Sequence, residues 1–243
     1  MTPGLRLAWL MLQSAIMNSA IIVAAGKGIR MGAGVDKLFL EVAGRPVVAH
    51  TWQRFDDAKC IGEIILVVRE GRQGEFAELA AKFKFQKPFR IIIGGAERQD
   101  SVWNGLEALS PAAEVVAIHD AARPCVSEEL IAATIKRAEE TGAAVAAQPV
   151  TDTIKESPDG KLIQRTVDRS TLWAVQTPQT FRVGVIRRAI AAARRSNLIF
   201  TDDTAACELI RQPVRLVSRV APNPKVTVPG DLPLVELLLR RPA

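Results

Sequence analysis

Short runs of apolar, mostly β-branched residues recur along this chain, separated by amphipathic stretches, and this alternation narrows the choice of fold more than any other feature. The runs are 21–25, 63–68, 89–93, 115–118, 143–148 and 214–220. Predominantly apolar runs of this length read as short buried strands. Helices are expected between them: one ending near Phe55, one over 73–85, one opening near Arg98, and one from Ser127 to Glu140 with Gly142 as its stop. Others are expected around 187–195, from a Thr201 or Asp202 cap to Ile210, and after Pro229-Gly230-Asp231. Strand–helix alternation implies an α/β chain with a mainly parallel sheet and helices on both faces. In such sheets ligands gather beyond the carboxyl ends of the strands, and Gly26, Gly95 and Asp120 each follow a strand directly.

The first strand end has the most specific spelling. Ile21 to Ala25 is followed by Gly26-Lys27-Gly28-Ile29-Arg30-Met31-Gly32 and then Asp36-Lys37-Leu38-Phe39-Leu40. Glycines there let the backbone turn sharply and approach a ligand, and exposed N–H groups make a nest for anions. Arg30 and Lys37 add cations, so the stretch reads as a phosphate cradle. It is not a P-loop, because no G-x-x-x-x-G-K-[ST] occurs. It is not the dinucleotide G-x-G-x-x-G either, because the third glycine position holds Met31.

Composition constrains the partners. The 243 residues carry a formal charge of +6, which suits an anionic substrate but equally nucleic acid. Aromatic residues are only 5%, Tyr is absent and no Lys/Arg block occurs, which argues against nucleic acid. The Arg187-Arg188 and Arg194-Arg195 pairs read as a solvated helix face. Cys60, Cys125 and Cys207 show neither metal nor disulfide spacing, so they read as small core residues in a reducing, cytoplasmic protein. No protein-borne metal ligands are expected, since two histidines cannot build a site between them.

Residues 1–17 contain an apolar stretch, Leu7 to Leu12, that is too short to span a bilayer and is interrupted by Gln13 and Ser14. They read as an appendage, or as an over-long gene start with Met17 the working initiator. A single domain is expected over 18–243, without membrane attachment. Within it, 149–171 breaks the strand–helix pattern: two alternating segments flank Ser157-Pro158-Asp159-Gly160, a hairpin signal. So small a hairpin would hardly fold alone and is expected to lean on a second subunit.

The order A-A-G-x-G-x-R-M-G, G-G-x-E-R-x-x-S-V, H-D-A-A-R-P, D-T-I-K, T-V-D-R, T-P-Q, T-D-D and N-x-K-V-T-x-P-x-D-L resembles the 2-C-methyl-D-erythritol 4-phosphate cytidylyltransferases over residues 19–240. The resemblance implies a Rossmann-like sheet with a β-hairpin arm, acting as a homodimer. It implies transfer of CMP from CTP to methylerythritol phosphate, with Mg²⁺ held mainly by the CTP phosphates. Arg30, Lys37 and Lys225 would be catalytic. Ala24, Ala25, Gly26, Gly28, Gly95, Ser101 and Ala121 would hold the nucleotide. Asp120, Arg123, Thr153, Arg169, Thr177 and Thr201 would bind the acceptor. Asp36 stands where the family usually has Pro, which is expected to loosen the segment holding Lys37. Ala96 stands where Asp is frequent, removing a polar contact to the nucleotide. Two alternatives remain at this stage: a cytidylyltransferase for another polyol phosphate such as ribitol 5-phosphate, and a non-catalytic nucleotide-binding module.

Overall fold

The computed structural model describes residues 17–26, 36–218 and 221–240. Its strands are β1 (Met17–Ala24), β2 (Glu41–Val42), β3 (Arg45–Pro46), β4 (Glu63–Val68), β5 (Phe89–Ile93), β6 (Ala113–Asp120), β7 (Ala143–Pro149), β8 (Lys155–Glu156), β9 (Arg165–Thr166), β10 (Trp173–Arg182) and β11 (Arg215–Val217). The helices are α1 (Val47–Asp57), α2 (Gln73–Phe83), α3 (Arg98–Glu107), α4 (Glu128–Thr141), α5 (Val183–Arg195), α6 (Asp203–Leu209) and α7 (Leu232–Arg240).

Seven strands form one sheet in the order β11-β7-β10-β6-β1-β4-β5. The pairings β6–β1, β1–β4, β4–β5 and β11–β7 are parallel. β10 alone runs antiparallel, wedged between β6 and β7. The expected mainly parallel sheet is therefore present, and the T-P-Q segment supplies its reversed strand.

Alternating residues of β1 explain the two covering layers, since successive side chains on a strand point to opposite faces. Ile22 packs in one cluster with Trp52 and Phe55 of α1, Phe76 of α2, Ile131 and Ile135 of α4 and Val235 of α7. Ile21 packs in the other with Val102 and Leu106 of α3, Ile186 and Ile190 of α5, and Cys207 of α6. β4, buried at all six positions, serves both clusters.

Helix ends follow the sequence signals. Ser127 caps α4 by accepting the Leu130 N–H, and Gly142 closes the helix at φ 91°, donating to the Ala138 carbonyl. Of the two candidate caps of α6, Asp202 takes the role, accepting from the Ala205 N–H.

Three expectations change. The last strand is not a core strand over 214–220: it spans Arg215–Val217 at the sheet edge, with Leu216 45% exposed. The arginines of α5 do not form a merely solvated face. Arg187 donates to the Leu106 carbonyl and pairs with Glu107, both at 2.6 Å, and Arg194 lies over the Trp103 ring. These contacts tie α5 to α3. Among the cysteines only Cys207 is fully buried; Cys60 and Cys125 are half-buried.

The arm between β7 and β10 is slight. Its ladder is two residues long on each side, Lys155–Glu156 against Arg165–Thr166, and Gly160 turns it at φ 66°. Leu162 and Ile163 are 75% and 66% exposed. The arm contributes no residue to either buried cluster.

Candidate active site

A cleft of about 880 Å³ opens at the carboxyl ends of β1, β4, β5 and β6. Its walls include Ala24, Ala25, Gly26, Lys37, Gly95, Ser101, Asp120, Ala121 and Lys225, so nine of the residues expected at the site converge there. Gly28 and Arg30 lie outside the described residues.

The glycines have different reasons to be there. A Cβ on Gly94 would come within 2.6 Å of the Ala25 Cβ and 2.7 Å of the Ser101 Oγ, so the close approach of the residues just past β5 and β1, and of α3, demands glycine. A Cβ on Gly26 would meet no atom of the described residues within 4 Å, so packing among them does not require glycine there. The Ser101 hydroxyl accepts from the Gly95 N–H at 3.1 Å and donates to the Glu97 carbonyl at 3.2 Å. Its proton is committed, leaving acceptor capacity on the oxygen.

At the end of β6, Asp120 sits among cations. Lys225 Nζ is 2.6 Å from one carboxylate oxygen and Arg98 Nε is 3.6 Å from the other. Burial alone would raise its pKa, but the charges of Arg98 and Lys225 outweigh it and hold the carboxyl down to about 2. Arg98 also pairs with Asp203 at 2.8 Å. Asp203 is almost wholly buried, and burial raises its pKa despite that partner. Arg98 was not singled out from sequence. Its signal was available: it stands three residues before Ser101 on α3, and residues at that spacing share a helix face.

Lys225 reaches Asp120 because the segment carrying it is stitched to the end of β6. The Val226 N–H donates to the Ala122 carbonyl at 2.8 Å, and Arg123 Nη1 donates to the Asn223 carbonyl at 2.7 Å. Asn223 Nδ2 donates to the Thr177 carbonyl at 2.8 Å. On the same segment, the Val226 carbonyl accepts from Lys37 Nζ at 2.8 Å.

Several expected acceptor contacts lie elsewhere in this single chain. Arg123 and Thr177 are not on the cleft wall but behind it, Arg123 holding Asn223 and Thr177 holding the β6 end. Thr201 is exposed just before α6. Thr153 and Arg169 are exposed on the arm, where Arg169 donates to the Thr151 carbonyl. Ala96 lines the cleft. Asp36 does not leave the Lys37 segment loose: its carboxylate accepts the Leu38 N–H at 3.1 Å and pairs with Arg69 and Arg72.

Beneath Asp120, His119 is fully buried. Its Nε2 faces the Arg123 carbonyl at 3.1 Å, so that nitrogen must carry the proton. Nδ1 then accepts from the Thr177 hydroxyl at 3.0 Å, while the same hydroxyl accepts the Asp120 N–H at 3.1 Å. Burial pushes the ring down to about 4 from 6.5. Folding thus keeps His119 neutral where an unfolded ring is already protonated, so the unfolded state binds more protons between those values. The stability this contributes is full above pH 6.5 and is lost as pH falls to about 4, amounting to about 3 kcal/mol. Urea titrations at pH 7.5, 6.5, 5 and 4 should show this decline. In His119→Gln the slope across that window should be flatter, whatever the overall stability. His50, also pushed down by burial, remains in both proteins and cancels in the comparison. An unchanged slope would remove His119 as the source.

Among the described residues, no three of His, Cys, Asp or Glu gather where they could hold a metal ion, and no helix is long and apolar enough to cross a membrane.

Known proteins match this arrangement in sequence and in shape. The family model for 2-C-methyl-D-erythritol 4-phosphate cytidylyltransferase matches residues 18–241. The protein of that name from Geobacillus kaustophilus is 43% identical over 221 residues, 90% of this chain and 96% of its own. The one from Alkaliphilus oremlandii is 42% identical over 225 residues, 92% of this chain and 95% of its own. The crystal structure of 4-diphosphocytidyl-2C-methyl-D-erythritol synthase from Anaerococcus prevotii superposes with a TM-score of 0.81 at 31% identity, covering 96% of this chain and 99% of that one. That of the Thermus thermophilus cytidylyltransferase gives 0.75 at 35% identity, covering 93% and 100%. With nearly its whole length matched and the expected strand-end residues gathered in one cleft, the chain belongs to the 2-C-methyl-D-erythritol 4-phosphate cytidylyltransferase family.

Proposed function

We infer that this chain transfers CMP from CTP to 2-C-methyl-D-erythritol 4-phosphate, giving 4-diphosphocytidyl-2-C-methyl-D-erythritol and pyrophosphate, a cytoplasmic step of non-mevalonate isoprenoid synthesis. Within a chain of this family, the observation that carries the reading is the convergence of Lys37, Lys225 and Asp120 on one glycine-lined cleft. An oxygen of the acceptor phosphate forms a bond to the α-phosphorus of CTP, and the bond from that phosphorus to the β-phosphate oxygen breaks. The nucleophile is already an anion, so no general base is needed; alignment and charge neutralisation carry the rate.

In this reading Ala24, Ala25 and Gly26 line the nucleotide with backbone, Gly95, Ser101 and Ala121 complete its pocket, and the sequence motif assigns Gly28 to the nucleotide as well. Ser101 has an acceptor lone pair for a base amino group, because its proton goes to Glu97. Lys37, on the cleft wall, is assigned to the triphosphate, and the sequence motif assigns Arg30 to the same phosphates. Lys225 neutralises charge at the acceptor, and ionised Asp120 accepts hydrogen bonds from the polyol hydroxyls. Arg123 and Thr177 act from behind by holding Asn223 and the Asp120 backbone.

A divalent cation, Mg²⁺ in our assignment, fits here as an ion carried on CTP phosphates, because the cleft's Asp120 is already paired with Lys225 and Arg98. When bound, it supplies further neutralisation of phosphate charge. We also assign a homodimer, in which Thr153, Arg169 and the exposed Leu162 and Ile163 of the arm meet a second copy.

Pyrophosphate release with CTP, Mg²⁺ and methylerythritol phosphate tests the activity, with ribitol 5-phosphate as competitor acceptor. Turnover at least tenfold faster with methylerythritol phosphate is expected. Preference for ribitol 5-phosphate would reassign the acceptor, and CTP binding without pyrophosphate release would make the chain a non-catalytic module.

A further inference from the structure

The segment that carries Lys37 is gripped on both sides. One Asp36 carboxylate oxygen accepts the Leu38 N–H at 3.1 Å, and the other meets the guanidiniums of Arg69 and of Arg72, the latter at 3.3 Å. Both arginines belong to the β4–α2 connection, and all three side chains are shielded, at 16%, 31% and 29% exposure. Arg72 also pairs with Glu75 at 2.5 Å and lies 4.7 Å over the Phe39 ring, which meets Phe76 edge-on. Past Lys37, the Leu38 and Leu40 carbonyls accept from the N–H groups of Val48 and Val47, each at 3.0 Å. The backbone around Lys37 is thus fixed while its ammonium extends to the Val226 carbonyl.

We propose that Asp36, through Arg69 and Arg72, is a positioning residue for Lys37. The proposal rests on the reading of Lys37 as a catalytic cation. A flexible lysine stem loses rotamer entropy when its charge is placed, and a donor aimed in advance does not incur that cost during reaction. Anchoring the residue before Lys37 narrows where the ammonium can sit. Arg69 reaches the cleft wall, but its charge is engaged by Asp36, so its part here is structural to the anchor.

Asp36→Asn keeps the acceptor for the Leu38 N–H while removing the charge, and so separates the ion pairs from the turn. It should lower kcat about tenfold, with KM for CTP and the CTP dissociation constant within about twofold. Lys37→Ala and the double variant complete the cycle. If Asp36 acts through Lys37, adding Asp36→Asn to Lys37→Ala should change kcat by less than about twofold. An additive tenfold loss in the double variant would overturn the proposal, since Asp36 would then act without Lys37. So would Arg69→Met weakening CTP binding tenfold, because Arg69 would then touch substrate itself. An unchanged kcat in Lys37→Ala alone would take Lys37 out of catalysis and overturn the proposal with it.

Discussion

Replacing Lys37 by alanine is expected to lower turnover about a hundredfold while the CTP dissociation constant moves only a few-fold. The ammonium lies on the cleft wall, 2.8 Å from the Val226 carbonyl and beside the segment that presents Lys225. A triphosphate in the ground state spreads its charge over many oxygens and is served by several cations at once. Charge then accumulates on the departing pyrophosphate as its bond to the α-phosphorus breaks. A fixed donor aimed there is worth most at that moment, by roughly 3 kcal/mol for comparable donors. Stability should change little, because the side chain is only half-buried and packs in neither apolar cluster. Single-turnover pyrophosphate release and calorimetric CTP binding separate the two effects. Weakened CTP binding with unaltered turnover would assign Lys37 to ground-state binding instead.

The strand ends were legible in the sequence because glycine and acidic residues directly after apolar runs mark where a parallel sheet opens to ligand. Gly26, Gly95 and Asp120 accordingly meet in one cleft. The pairing of Lys225 with Asp120 spans 105 positions, and no local pattern encodes that distance. The direction of β10 was hidden for a related reason: side-chain periodicity is the same in a parallel or an antiparallel strand. Thr177 shows the limit for side chains. Its place beside Pro178 was readable, but its hydroxyl faces His119 and the Asp120 N–H because β10 runs along β6. The edge strand is shorter than its sequence suggests: Val214 and Leu216 look apolar, yet among the described residues only Arg215–Val217 pair, and with β7 alone. Asp36 carries a different lesson. Judged alone, an Asp in place of Pro predicts a looser segment; the structure pairs it with two arginines more than thirty residues away.

Mixing two inactive proteins should restore activity if the arm works across a dimer. We propose that each cleft takes Lys37 from one chain and Arg169 from the other. In the single chain, Arg169 and Thr153 are exposed and off the cleft wall, and the arm's only ladder is two residues on each side. A hairpin this short is marginal in water, and its Leu162 and Ile163 stand open to solvent. A two-fold pair that exchanges arms would cover those side chains and bring both polar residues to the neighbouring cleft with one self-complementary surface. Lys37→Ala and Arg169→Ala homodimers would each carry a defect at both sites. In a mixed dimer one site collects both defects and the other collects neither. With random pairing, about half the dimers are mixed and half of their sites intact, so co-expression should return roughly a quarter of wild-type activity. Differently tagged subunits purified over two affinity steps isolate the mixed species, which should then show about half of wild-type activity per dimer. Purified mixed dimers with no recovery would mean that Arg169 serves its own chain or has no part in the site, and the shared cleft would be excluded.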